Sequence, residues 1–405
     1  MAIRFVHTAD IHFGVENYGS IDSQTGLHSR LIDFKNSFNY IVNYAIEENV
    51  DCFIFAGDAY KNSFPTPTQQ RILIKLFLKL LDNNIPVVII VGNHDHIGNS
   101  IKAHALDVFY HIKHPLCLVF SKPGLSIIHT KSGPIQIIGV PWPFPAVIAK
   151  GKKINSSLIK SYVLNEINTL KKSLNPDYPT VLVGHLTMAN GIFSGSEKNI
   201  LENRDPLFTA DELSDDRINY IALGHLHKYQ YINEKIKNQN PIVYSGSPDR
   251  IDFGEKDDNK SCCVVTVSNK KKTEFFLLPI PCRPFYQIYL HIESLDDAKE
   301  KIKEEILKYK DIEKAIIKIR YSYNYQYIKY IDISFLQNLL SHVWHIASIE
   351  CINNYKMKKK EQRTIFHENK NIHNMVESYI DSNESFKKEK NSYMNTLKEY
   401  INGIE

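Results

Sequence analysis

The sequence predicts an α/β protein, α+β in the broad sense. Two β-sheets pack together with helices outside them, and a small α/β unit and C-terminal helices follow. Three observations lead there. Short apolar runs rich in branched and aromatic residues alternate with helix-period stretches over the first ninety or so residues, the pattern of strands joined by crossover helices. A second set of strand-like runs, interrupted by one helical stretch, continues to about residue 280. Pro279, Pro281 and Pro284 then punctuate the chain, and the pattern changes to β, α, β.

The elements follow in order. Ile3–Thr8, Asp51–Ala56 and Pro86–Val91 read as buried strands, each ending in glycine or polar residues. Between them, Arg30–Glu48 places Leu31, Phe34, Phe38, Ile41, Val42 and Ala45 on one helical face. Pro67–Leu81 is a second helix, opened by Thr66 as cap and Pro67 in the first turn. Strands are expected near 117–120, 126–129, 135–140, 180–184 and 219–223, with a helix near 156–174. The boundary near 280 divides a main domain, 1–280, from a smaller unit, 285–352, in which Lys299–Lys310 is a charged amphipathic helix. After Lys356-Met357-Lys358-Lys359-Lys360, apolar residues recur at helical spacing between 366 and 402: Met375, Val376, Tyr379 and Ile380, then Tyr393, Met394, Leu397 and Ile401.

With 405 residues, 43% of them hydrophobic and 23% charged, the chain is neither disordered nor collagen-like and has material for two or three domains. No run approaches the ~18 apolar residues of a membrane span, and the N-terminus turns polar too soon for a signal peptide. A cytoplasmic protein without a membrane partner is expected. Six cysteines (Cys52, Cys117, Cys262, Cys263, Cys282, Cys351) are scattered without a C-x-x-C pair, so reduced core thiols are expected. The net charge of +4 is only mildly basic. If the protein binds nucleic acid, local patches and metals must do it.

In α/β proteins, functional groups collect beyond the carboxyl ends of strands, and here those positions are rich in metal-ligand types. The strands end in Asp10-Ile11-His12, Gly57-Asp58, Gly92-Asn93-His94-Asp95, Gly184-His185 and Gly224-His225-Leu226-His227. Hard divalent cations take carboxylate, amide oxygen and imidazole, and two of them ~3.5–4 Å apart need a bridging carboxylate. Asp58 is the candidate bridge. Glycines 57, 92, 184 and 224 each precede a ligand-type residue, where a missing side chain lets the backbone turn. In Gly224-His225-Leu226-His227, extended alternation would put both imidazoles on one side. Each piece has an ordinary explanation taken singly: a solvated strand end, a turn, a polar loop, a satisfied buried histidine. Their repetition at five strand ends points to a metal site.

The ordered set D-x-H, G-D, G-N-H-D, G-H, G-H-x-H resembles the calcineurin-like metallophosphoesterase superfamily, whose fold is a two-sheet sandwich with a two-metal centre. Over residues 1 to about 280 the chain is more narrowly similar to SbcD-type nucleases, the nuclease subunits of SbcC–SbcD DNA repair complexes. His7–Gly14, Phe55–Tyr60, Val91–Asp95 and Tyr244–Arg250 with Phe253-Gly254-Glu255 carry that similarity. The resemblance implies that Asp10, His12, Asp58 and His227 hold one metal and Asp58, Asn93, His185 and His225 the other. The family favours manganese, while the residues are compatible with Mn²⁺, Fe²⁺ or Zn²⁺. It also implies that His94 steadies the phosphate or protonates the leaving oxygen, with Asp95 orienting it. Where some family members carry a further histidine three residues after the bridging aspartate, this chain has Lys61. Lys61 and Arg250 are candidate substrate contacts.

By the same resemblance the chain hydrolyses DNA phosphodiesters with two metals, residues 285–352 form a capping domain, and the chain is a homodimer. The 366–402 helices would dock on an SbcC-like ATPase subunit; packing on their own chain is the other reading. Lys356, Lys358, Lys359 and Lys360 are either phosphate contacts or a solvated face. A phosphoesterase acting on small nucleotides or phosphoproteins, and a metal-bound scaffold that binds DNA or an ATPase without cutting, remain as alternatives.

Overall fold

The computed structural model describes residues 2–97, 102–145, 148, 155–195, 205–236, 239–269, 271–292, 298–323 and 333–352, with short pieces between 376 and 402. The lysine cluster at 356–360, and Met375 and Tyr379 of the C-terminal apolar pattern, lie outside the described residues.

The first elements are β1 (Ile3–Thr8), α1 (Ser29–Glu47), β2 (Cys52–Phe55), α2 (Pro67–Asp82), β3 (Val87–Ile90), α3 (Asp107–His111) and β4 (Cys117–Phe120). The next are β5 (Gly124–Thr130), β6 (Gly133–Val140), α4 (Ser156–Lys171), β7 (Thr180–His185), β8 (Thr187–Met188), β9 (Leu207–Phe208) and α5 (Ala210–Leu213). β10 (Tyr220–Gly224), β11 (Gln230–Tyr231), β12 (Ile242–Tyr244), β13 (Ser261–Ser268) and β14 (Lys271–Pro279) complete the main body. They form two six-stranded sheets, in the orders β14-β13-β1-β2-β3-β4 and β11-β12-β10-β7-β6-β5. In the first, β1 to β4 run parallel, β13 pairs antiparallel with β1 and β14 antiparallel with β13; in the second, β12, β10, β7 and β6 run parallel between antiparallel edge strands.

Alternation along the strands explains the layers. Phe5, Cys52, Ile54, Val88 and Ile90 of the first sheet meet Ile137, Val181, Val183, Tyr220 and Ala222 of the second in one buried cluster. Their neighbours Val6, Phe53, Phe55, Val87 and Ile89 face the other way, onto α1 and α2. There Phe38 meets the rings of Phe13, Phe53, Phe55 and Phe77 edge-on, with centroids 5.9 to 6.4 Å apart. Each such pair contributes ~0.5–1.5 kcal/mol beyond its burial. On the far side, Val163 and Ile167 of α4 cover Ile138, Leu182, Ile221 and Leu223. Helix α2 opens as expected: Thr66 accepts the Gln69 amide at 3.3 Å, and the Gln69 side chain accepts the Thr66 amide at 2.9 Å.

After the prolines near 280, β15 (Phe285–Ile292), β16 (Ile316–Tyr323) and β17 (His345–Cys351) form a three-stranded parallel sheet. Helices α6 (Ala298–Ile306) and α7 (Ile333–Leu339) lie in its two crossovers. Arg283 sits at the junction. Its guanidinium holds Asp33 of α1 at 2.8 and 2.9 Å, donates to the Lys314 carbonyl at 2.7 Å and stacks 3.5 Å over the Trp344 ring.

In the last described helix, α8 (Lys390–Asn402), Met394 is buried, as is Ile380 before it, whereas Tyr393 is exposed. Part of the C-terminal apolar pattern is therefore covered by this chain itself. All six cysteines are free thiols, and Cys351 is exposed rather than in the core. Among the described residues no helix is long and apolar enough to cross a membrane.

Candidate metal centre

The strands that carry the site end level with one another. Thr8 lies opposite Phe55, Phe55 opposite Ile89, and His185 opposite Gly224. The loops that leave β1, β2, β3, β7 and β10 therefore emerge along one edge of the sandwich. Those after β1 and β2 are laced together: the Asp10 amide donates to the Gly57 carbonyl at 2.9 Å, His12 to Asp58 at 3.2 Å and Phe13 to Ala59 at 2.9 Å.

Asp10, His12, Asp58 and His225 all have positive φ, at 57°, 54°, 57° and 107°. Side chains other than glycine adopt that region rarely, at a cost of ~1–3 kcal/mol each, and such strain clusters at functional sites. His225 and His227 thus do converge, but not by strand alternation: β10 ends at Gly224, and the positive φ of His225 turns the chain. The glycines also differ from expectation. Gly57 takes a left-handed turn, φ 102°. Gly92 and Gly224 are required by close approach: a Cβ would lie 2.1 Å from Asp58 Oδ1 at the first and 2.2 Å from the Ala56 carbonyl at the second. Gly184, inside β7, meets only contacts of 3.3 Å or more.

The structure brings all of the sequence-derived ligand candidates together. His12 Nε2 lies 3.7 Å and His185 Nε2 3.4 Å from Asp58 Oδ2. Asn93 Oδ1 lies 3.0 Å from both His185 Nε2 and His225 Nδ1. His227 Nε2 is 3.0 Å from His12 Nε2, and the Asp10 carboxylate accepts the His225 amide at 3.0 and 3.1 Å. Asp58 belongs to two clusters, one with His12 and His94 and one with His185 and His225, each with ligand atoms within 4.8 Å of one another. It is the carboxylate between them.

The hydrogen bonds behind these groups decide what they can hold. A carbonyl only accepts, so His185 Nδ1, 2.7 Å from the Ala56 oxygen, carries the proton. In the neutral ring its Nε2 then turns a lone pair toward the oxygens of Asn93 and Asp58. His227 Nδ1 donates to Glu255 at 2.9 Å, which leaves its Nε2 lone pair facing His12. Inward-facing lone pairs on nitrogen and oxygen, buried and about 3 Å apart, need a proton or a cation between them. Without a cation a second proton on His185 takes that place, and a bound metal would displace it. Against the cost of burial, the Asp58 and Asp10 carboxylates raise His185 to about 9. Burial raises Asp10 to about 7, while His185 and His94 hold Asp58 well below the usual carboxylate range despite its burial. Imidazole, carboxylate and amide oxygen in this arrangement fit divalent ions of intermediate hardness.

The remaining sequence candidates divide. His94 lies at the edge of the cluster, its ring 4.8 Å from that of His12. Asp95 does not orient it. The His94 ring nitrogen Nδ1 donates instead to the Lys61 carbonyl at 2.8 Å. The Asp95 carboxylate points into the loop beneath, where it accepts the amides of Asp58 and Ala59 at 2.9 Å, Gly92 at 3.1 Å and Tyr60 at 3.3 Å. Lys61 is exposed on the rim of a cavity of about 390 Å³ that opens onto His12, Asp58, Asn93, His94, His225 and His227. Arg250 is not placed for substrate: its guanidinium donates to the carbonyls of Lys256, Arg283 and Asp258 at 3.3, 3.1 and 2.8 Å.

Other residues at the site were given no role from the sequence, although Glu255 and Ser247 stand in stretches that carry the family resemblance. Glu255, beyond its contact with His227, takes the buried Lys260 ammonium at 2.6 Å and the Ser247 hydroxyl at 3.2 Å. Asp205 lies 3.4 Å from His225 Nε2. The Trp142 ring lies along His225, with centroids 4.8 Å apart and planes 32° apart. Trp142 follows the end of β6, and inspecting strand ends for aromatic as well as polar residues would have found it; Asp205 has no comparable signal.

The chain has relatives among known proteins. A family model described as calcineurin-like phosphoesterase matches residues 3–229, more than half of the chain. The chain belongs to the calcineurin-like phosphoesterase family. It is a metal-dependent phosphoesterase, and the two multi-strand sheets flanked by helices are that family's fold in this sequence. The phosphoesterase is 25% identical over 383 residues to the SbcD subunit of the SbcCD nuclease of Staphylococcus epidermidis, covering 90% of this chain and 91% of that one. Among solved structures it is similar to a 5'-nucleotidase precursor from Thermus thermophilus, with 13% identity and a TM-score of 0.39 over 76% of this chain and 59% of that one. It is also similar to a dimetal phosphatase from Danio rerio, with 10% identity and a TM-score of 0.38 over 68% of this chain and 98% of that one.

Proposed function

We propose that this phosphoesterase is a DNA nuclease, an SbcD-like subunit of a double-strand-break repair complex. The observation that carries its chemistry is Asp58, shared between two ligand clusters at one end of the sandwich. Asp10, His12, Asp58 and His227 would hold one divalent ion and Asp58, Asn93, His185 and His225 the other, with manganese the expected metal. When bound, such a pair activates water, aligns the scissile phosphate and neutralises its charge. The chain's own groups do the rest. Glu255 and the Ala56 carbonyl hold His227 and His185 in the tautomer that presents Nε2 inward. The Lys61 carbonyl takes the His94 Nδ1 proton and leaves Nε2 on the other side of the ring, where the doubly protonated imidazole can donate to a phosphate oxygen or to the leaving group.

A DNA substrate is supported by the near full-length similarity to a nuclease subunit. Domains would fall at 1–280, 285–352 and 366–402, with the second shaping the DNA path. An SbcC-like ATPase would dock on the third, through its exposed residues such as Tyr393. The chain would work as a homodimer.

The test is a gel assay of the purified chain on end-labelled linear duplex DNA and on a DNA hairpin, with Mn²⁺ or EDTA, beside hydrolysis of bis(p-nitrophenyl) phosphate. Mn²⁺-dependent cutting that His94→Gln abolishes is expected. Hydrolysis of the small diester without cutting of either DNA, even with an SbcC-like partner present, would overturn the nuclease reading in favour of a small-substrate phosphoesterase.

A further inference from the structure

A second cavity, of about 290 Å³, adjoins the metal centre on the other side of Trp142. Resting on the nuclease reading above, we propose that it is a base-binding subsite, which takes one unstacked nucleobase of a single-stranded or frayed DNA end next to the scissile phosphate. Its walls are flat and stiff: Trp142, Phe144, Tyr162 and His96 supply rings, and Pro141 and Pro143 hold the segment between them. Phe144 and His96 are already stacked on each other, with centroids 3.8 Å apart. Tyr162 is 39% exposed and Trp142 and Phe144 are partly exposed, so ring faces remain open to a ligand. Aromatic walls of this kind take any base, because every base has a π-face.

The position makes the subsite specific to the reaction. Trp142 lines this cavity while its ring lies along His225 and 6.2 Å from His185. Its amide donates to the Val91 carbonyl at 3.0 Å, two residues before Asn93. The cavity and the ligand cluster are therefore separated by about one indole and held in register by the backbone. A nucleotide whose phosphate sits at the ligand cluster has its base within reach of that wall. Lys122, exposed at the cavity rim, supplies a cation for the adjacent backbone phosphate.

The test uses the full chain and short single strands. An abasic residue is walked through the first nucleotides from the cleaved end, and kcat/KM is compared with that of the intact strand. A parallel series carries 2-aminopurine, whose fluorescence falls on stacking, and is read in EDTA so that binding is seen without turnover. We expect one position at which base removal lowers kcat/KM about fivefold or more and at which 2-aminopurine is quenched. Phe144→Ala, and separately Tyr162→Ala, should flatten that position's loss and its quenching while leaving the effects at other positions in place. A flat abasic profile with no quenching in the natural chain overturns the subsite, as does a profile that neither variant changes. Bis(p-nitrophenyl) phosphate hydrolysis in the same preparations separates the two ideas: its absence counts against the catalytic reading, whereas quenching that depends on Phe144 upholds the subsite by itself.

Discussion

The Asp95 carboxylate accepts the backbone amide of Asp58 at 2.9 Å. Through it, the loop after β3 sets the position of the carboxylate at the end of β2. The amides of Ala59, Tyr60 and Gly92 converge on the same group, so Asp95 organises the strained backbone that aims Asp58. Asp95→Ala would leave several buried amides without an acceptor, at ~1–3 kcal/mol for each group. The expected outcome is a protein destabilised by about 3 kcal/mol or more, with Mn²⁺ affinity lost in the remaining folded fraction. Urea unfolding with and without Mn²⁺ measures both. A variant of undiminished stability would show that the amides find other partners.

Asp58→Asn and His94→Gln should separate holding metal from using it. Asparagine tolerates the left-handed backbone of Asp58, so the fold is expected to survive while both ion positions lose their shared ligand. Mn²⁺ at 100 times its dissociation constant should stabilise the natural chain by ~2.7 kcal/mol and Asp58→Asn far less. His94→Gln should keep that stabilisation and lose turnover by about 10² to 10⁴-fold. Thermal unfolding against Mn²⁺, beside diester hydrolysis, checks both arms.

Glu255→Gln removes the charge that both orients His227 and neutralises Lys260. Outer partners of ligating histidines are worth about 10- to 100-fold in metal affinity, and that loss is expected in a metal titration. Only the Asp258 carboxylate, 3.8 Å away, would still balance the buried Lys260 ammonium, so stability should also fall, by up to ~3–5 kcal/mol. A change in stability alone, with metal affinity intact, would place Glu255 in the fold and not in the site.

Arg250→Ala should behave as a structural lesion. Its guanidinium ties the carbonyls of Lys256 and Asp258 to that of Arg283, at the entrance to the three-stranded sheet. Losing those bonds is expected to lower stability by ~2–3 kcal/mol while KM for DNA stays unchanged. A raised KM with normal stability would return Arg250 to the substrate path.

The two-sheet fold and the residues of the cluster are both legible in the sequence, for one physical reason. Buried parallel strands must be apolar throughout, so each apolar run marks a strand, and each polar residue that ends it marks the edge where a site assembles. Asp10, His12, Asp58, Asn93, His185, His225 and His227 stand at those ends in the sequence, and the structure gathers them. Spacing does not encode which groups meet behind the front row. Asp95 follows His94 directly, yet successive side chains point apart, and its carboxylate serves amides of a loop 35 to 37 residues earlier. Arg250 reads as a free cation in the sequence, but packing surrounds it with carbonyls; Gly224 reads as a turn, but the Ala56 backbone lies against it. Glu255, Asp205 and Trp142 enter the site in the same way, because contacts between distant segments depend on how the two sheets are stacked, and only the tertiary structure decides that.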